Sequence, residues 1–179
     1  MSVFSNPSGR APEAAANYVR SVIALVGDRD PLEVLAELPG WLHDALVPLD
    51  DAARRRPEAP GKWSAHDAVQ HLTDAETAFL WRTRLIVAEE KEPTLQGYDQ
   101  DQWAAKLRYQ DAPFDEVLGE LTAMRRRNLR LIRSLSDGEL DRAGQHVERG
   151  RESMRLMLSL MAGHDLVHRR QISRIIGRA

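Results

Sequence analysis

His164 and His168 stand four residues apart in the stretch MAGHDLVHRRQ. Residues with that spacing are neighbours on one face of a helix, so two imidazoles placed this way can hold one divalent ion between them. The surrounding residues have helical spacing. Leu160, Met161, Val167, Ile172 and Ile175 form an apolar stripe at roughly 100° per residue, and both histidines fall within it. Gln171, one turn further, continues the polar line. Two readings are open. The pair could be core histidines satisfied by backbone or carboxylate partners, or they could share a metal. Burying two adjacent imidazoles without a common partner is costly. A metal accepts the neutral ring, and a hydrogen bond to the other ring nitrogen orients it.

A metal site needs a third donor. The segment WSAHDAVQHL offers His66 and His71. Five residues separate them, roughly 140° around a helix, so they cannot serve one site together. His71 lies at the edge of an inward stripe beside Ala75 and Ala78, where small side chains leave room for an ion. His66 is expected near the outer side, His43 facing solvent, and His146 in a connecting loop with a structural role.

Long amphipathic helices must position these residues. The chain has 179 residues, 42% of them hydrophobic and 29% charged, with a formal net charge of −2 and no cysteine. That suits one soluble domain with a sizeable core. It excludes disulfides, thiolate ligands and a protein thiol nucleophile. It also argues against nucleic acid or an anionic membrane as partner. The opening MSVFSNPSGR lacks the apolar run of a signal peptide, and no stretch is apolar enough to span a bilayer, so a cytoplasmic location is expected. Helical periodicity dominates and strand signals are weak. A short leading helix is expected within 11–27. A first long helix starts at Pro31 with a stripe from Leu32 to Leu49 and a kink at Pro39–Gly40. A second, capped by Ser64 with Asp67 three residues on, runs to about Ala88. A third covers roughly 114–135, and a fourth, capped by Ser153, ends near Ile176. Residues 89–113 and 136–152 form long connections, the first with a helical turn around Trp103. The expected fold is all-α: a four-helix bundle over 30–179 that is not a simple up-down-up-down one, with residues 1–29 as an N-terminal extension carrying the short extra helix.

The segment PGKWSAHDAVQHLTDAE followed far downstream by GHDLVHRRQI resembles the DinB-like, or YfiT-like, four-helix-bundle proteins, over about residues 30–177. The resemblance implies up-down-down-up topology, frequent dimers, and one divalent metal bound by His71, His164 and His168. Three neutral imidazoles leave the ion its charge and at least one open position, a catalytic pattern. An ion so held lowers the pKa of a bound water or thiol. Zinc and nickel both suit imidazole.

Asp74 and Gln171 are candidates to support the ligands, and Glu76, further round the helix, is a weaker one. Arg125 and Asn128 lie on the inward side of the third helix. A buried Arg125 would pair with Asp74 or Glu76, or would bind an anionic group of a substrate. Trp63, just before the cap at Ser64, is placed to staple the chain entry and set the height of His71. Three functions compete. One is a metal-dependent hydrolase acting on an amide or ester of a small molecule. Another is a transferase or isomerase using a small thiol such as bacillithiol or mycothiol. The third is a non-catalytic stress-related binding protein. An Arg-lined pocket beside the metal would favour the thiol, a nearby carboxylate would favour hydrolysis, and a fourth protein ligand would favour the third class.

Overall fold

The structure, a computed structural model, describes residues 12–177. The first eleven residues of the expected N-terminal extension therefore lie outside the described residues. Within them the chain forms α1 (Pro12–Ala24), α2 (Pro31–Leu46), α3 (Asp51–Arg55), α4 (Ala65–Ala88), β1 (Thr94–Leu95), α5 (Gln100–Lys106), α6 (Phe114–Ile132), α7 (Asp137–Leu140), β2 (Ala143–His146), β3 (Gly150–Ser153) and α8 (Met154–Ile175). No helix among them is long and apolar enough to cross a membrane.

The starts of the long helices are written locally. Asp30 Oδ1 accepts from the Leu32 amide at 2.9 Å, and Pro31 gives up an amide that would be orphaned anyway. Ser64 and Asp67 form a reciprocal capping box that opens α4. Ser153 Oγ accepts from the Leu156 amide at 3.2 Å and opens α8.

Helices α2, α4, α6 and α8 form a four-helix bundle, and its directions follow from two apolar clusters. One gathers Leu42 and Leu46 from the end of α2, Val69 and Leu72 from the start of α4, Val117 and Leu121 from the start of α6, and Ile172 from the end of α8. The other gathers the start of α2 (Val34, Leu35), the ends of α4 and α6 (Phe79, Ile86, Leu129, Ile132) and the start of α8 (Met154, Met157). The order is therefore up, down, down, up. The parallel run of α4 and α6 is bridged by the crossover 89–113, and that of α8 with α2 closes the bundle.

Three expectations change. The stripe of α2 passes through Pro39 and Gly40 without a break, and the helix stops at Leu46, leaving Leu49 beyond it. Pro39 has no amide to donate to the Leu35 carbonyl, yet that carbonyl is satisfied, because Arg125 Nη1 donates to it at 2.7 Å. Helix α6 ends at Ile132, three residues before Leu135. The long connections also pair with each other. β1 lies parallel to β2, and β2 antiparallel to β3. These strands have two to four residues, too short for alternation to show in sequence. His146 accordingly sits on β2, not in a loop.

Arg125 is fully buried and touches every long helix. From α6 its Nε donates to Glu76 Oε2 on α4 at 2.7 Å. Its Nη1 and Nη2 donate to Asp165 on α8 at 2.6 and 3.2 Å, and Nη1 also reaches Leu35 on α2. The pairing with Glu76 is one of the two expected. Asp74 does not take part, and Asp165 is an addition. Burial pushes the carboxyls of Glu76 and Asp165 up while the guanidinium pulls them down. Truncating the arginine strands two buried carboxylates and one carbonyl. Arg125→Ala should therefore lower the unfolding free energy by about 3–5 kcal/mol in urea titrations. A loss below about 1 kcal/mol would show that these groups do not depend on it.

Candidate metal centre

Helices α4 and α8 are antiparallel neighbours, and this brings His71, on the second turn of α4, level with the middle of α8. The Nε2 atoms of His71 and His164 are 3.0 Å apart, and those of His164 and His168 are 3.2 Å apart. His71 and His168 are buried, and His164 is partly buried. All three rings are held neutral. Burial, with the neighbouring His168, drives His71 well below the usual range. Burial acts first on His164 too, joined by His168, His71 and Arg125. Burial brings His168 down to about 4 against the opposing hydrogen bond from Gln171.

Gln171 decides the tautomer of one ring. His168 Nδ1 lies 2.8 Å from Gln171 Oε1, an acceptor, so the proton sits on Nδ1 and the Nε2 lone pair points at the other two rings. Nδ1 of His71 and Nδ1 of His164 are buried with no hydrogen-bond partner. Three ring nitrogens thus converge, and at most one proton can be shared across each close pair. Lone pairs crowded this way suit a cation, and the donor set fits a divalent transition ion. Ligands of a tetrahedral ion at about 2.0–2.1 Å stand roughly 3.3–3.4 Å apart, close to the His71–His164 and His164–His168 separations, and the ligating atoms of all three residues lie within 4.8 Å of one another. No fourth His, Cys, Asp or Glu among the described residues joins this cluster.

Trp63 packs directly on the ligands. Its ring centroid lies 5.0 Å from that of His71 and 6.3 Å from that of His168, nearly parallel to the latter. It is half-buried and walls a cleft of about 380 Å³ that His168 and Gln171 also line. Two carboxylates, Glu58 and Asp101, line the same cleft. Trp63 is therefore both a packing partner of two of these histidines and a wall of the cleft beside them.

The other candidates separate. Gln171 is where the sequence places it. Asp74 is half-buried and accepts from the Tyr109 hydroxyl at 2.5 Å, so it anchors the crossover and has no hydrogen bond to His71. Glu76 and Arg125 belong to the buried network behind His164. Asn128 is fully buried beside Glu76, whose carboxyl its side chain helps to hold down. His43 faces solvent as expected. His66 does not: it is fully buried, with Nε2 2.8 Å from the Tyr109 carbonyl. The 3-10 turn at Tyr109–Asp111 covers the start of α4 and removes the outer side assumed for it. Asp165 is a further residue of this network that the sequence alone does not single out; with Arg169 four residues on, its spacing fits a local surface pair. Its partner is instead Arg125, forty residues away in sequence.

Comparison with known proteins agrees with this arrangement. A family model described as the DinB superfamily matches residues 35–172. A Bacillus mycoides protein named "putative metal-dependent hydrolase" is 27% identical over 164 residues, covering 92% of this chain and 93% of its own. An Oceanobacillus iheyensis protein of the same name is 26% identical over 144 residues, covering 80% of this chain and 83% of its own. Among solved structures, YfiT from Bacillus subtilis superposes with a TM-score of 0.73 at 25% identity, covering 83% of this chain and 87% of that one. It is described as a probable metal-dependent hydrolase with an unusual four-helix bundle topology.

Gln171→Leu removes the acceptor that fixes His168 and should weaken zinc binding about 10–100-fold, read by competition with a chromophoric chelator. Unchanged affinity would mean that Gln171 does not orient the ring. Trp63→Ala should also weaken zinc binding while far-UV circular dichroism stays helical. A folded variant that binds zinc as tightly as the parent would reduce Trp63 to packing alone.

Proposed function

The chain belongs to the DinB superfamily, and from that premise we propose that it is a metal-dependent hydrolase acting on an amide or ester of a small molecule. The observation that carries the proposal is the convergence of three neutral imidazoles, with no fourth His, Cys, Asp or Glu among the described residues, beside an open cleft. His71, His164 and His168 are the ligands in this reading. A bound zinc or nickel ion would supply Lewis-acid polarisation and make water nucleophilic near neutral pH. The protein's own groups do the rest. Burial keeps the imidazoles unprotonated, and Gln171 aims His168. Trp63 shields the ligands from bulk water. Glu58 and Asp101 place proton acceptors in the cleft, and Glu58 is itself held by Arg174 at 3.2 Å.

A second reading, metal-assisted transfer to a small thiol such as bacillithiol or mycothiol, draws on one observation. Arg82 and Arg149 line a small pocket that also contains His164, and guanidiniums suit an anionic co-substrate. Turnover that requires added thiol would select it over hydrolysis.

Protein purified without chelators should carry about one divalent transition ion per chain. His164→Ala should lose most of it while keeping its helical content. Full retention of metal in that variant would remove the ligand assignment. The metal-loaded protein should hydrolyse small amide or ester substrates, lose that activity on chelation and regain it when zinc or nickel is restored.

A further inference from the structure

The pocket of about 60 Å³ with His164 of α8 in its wall draws on four further parts of the chain. Tyr18 comes from α1, Arg82 from α4, Tyr98 from the crossover and Arg149 from the turn between β2 and β3. The two guanidiniums differ in what they already hold. Arg149 is committed to the buried Glu152, with Nε to Oε1 at 2.5 Å and Nη2 to Oε2 at 3.0 Å. Arg82 donates to the Gln96 carbonyl and lies over the Tyr98 ring at 5.9 Å. No carboxylate of the described residues stands within ion-pair distance of it; Glu152 and Glu148 act on it only from further away.

We propose that this pocket receives a carboxylate carried by the substrate, docked on Arg82, while the bond to be cleaved lies at the three-histidine centre. This rests on the hydrolase reading for where the reacting bond lies. The docking itself follows from charge and shape. Arg82 is half-buried, and the pocket offers its guanidinium a space for an anion with no carboxylate of the described residues at contact distance. One uncommitted guanidinium balances one negative charge, so a carboxylate fits better than a phosphate dianion. Burial holds the Tyr18 and Tyr98 hydroxyls up to about 12, so both remain donors at working pH. Gln100 lines this pocket and the larger cleft alike, so the two openings are neighbours. A compound spanning them would place its acid beside His164 and its body beside His168 and Trp63. The implied class is a small acylated compound with a carboxylate a few bonds from the acyl carbon, as in an N-acyl amino acid.

Acetate is the probe for the pocket. Titrated into the purified protein, it should shift the Arg82 side-chain Nε–H resonance saturably in proton–nitrogen spectra. Arg82→Gln should weaken acetate binding about tenfold or more, with Arg82→Lys in between. Phosphate should bind more weakly than acetate, and N-acetylglycine more tightly than N-acetylglycinamide. An unmoved Arg82 signal, tighter binding of phosphate, or equal binding of the acid and its amide would each overturn the proposal. The same titration on His71→Ala separates the two readings. If that variant lacks metal and still binds acetate at Arg82, the pocket stands independently of the ion. If the parent carries metal and acetate leaves Arg82 unmoved, the pocket fails and the metal reading does not.

Discussion

The bundle turns on one buried cation. Arg125 is the only residue described whose side chain bonds to all three of the other long helices, through Glu76, Asp165 and the Leu35 carbonyl. Buried ion pairs are seldom strong net stabilisers, because desolvation cancels much of the Coulomb energy. They are demanding in geometry, and that matters here. A guanidinium fork satisfied on three sides admits one relative placement of the helices that carry its partners. Glu76 stands five residues after His71 on α4, and Asp165 directly follows His164 on α8. The network therefore fixes the register of the two helices whose histidines must meet.

The same network explains why α2 survives a proline. Pro39 deletes a helical hydrogen bond and leaves the Leu35 carbonyl without a donor, a defect that would ordinarily kink or end a helix. The structure turns that carbonyl toward Arg125 instead. Read from sequence, Pro39 and Gly40 signal a kink and Arg125 signals a need for partners. The two signals cancel only in three dimensions, because the residues lie on different helices, far apart in the chain. The helix starts, by contrast, were local problems. Ser64 and Ser153 cap where the sequence says they should, and α2 starts at Pro31 as expected, since each start needs only the next three residues.

The candidate site divides along the same line. The inward face of His164 and His168, the placement of His71 and the support from Gln171 follow from periodicity within single helices. The choice of those three as a ligand set came from resemblance to a family. What periodicity could not give was contributed by the crossovers. The 3-10 turn at Tyr109 buries His66 and takes Asp74, the paired strands carry His146 inward, and Tyr98 and Arg149 arrive at the small pocket from segments with no repeating pattern. A hydrophobic stripe reports which face of a helix is covered by its neighbours in the bundle. It is silent about what a loop covers.

Helix α1 shows how the surroundings of the site are added to the bundle. A Cβ at Gly163 would lie 2.2 Å from the Val22 carbonyl oxygen, so only glycine lets the α1 backbone lie against α8 at that point. Gly163 immediately precedes His164. The close approach brings Tyr18 to the small pocket, and α1 runs on toward Leu25 in the wall of the larger cleft. The family match begins at residue 35, after α1. The three histidines thus belong to the bundle proper, held by Arg125 and by the packing of α4 on α8. Part of the walls that would select what reaches them comes from a helix outside the matched region. The rings and the walls around them are thus held by different parts of the chain: the bundle carries the three histidines, while α1 and the crossovers contribute to both openings.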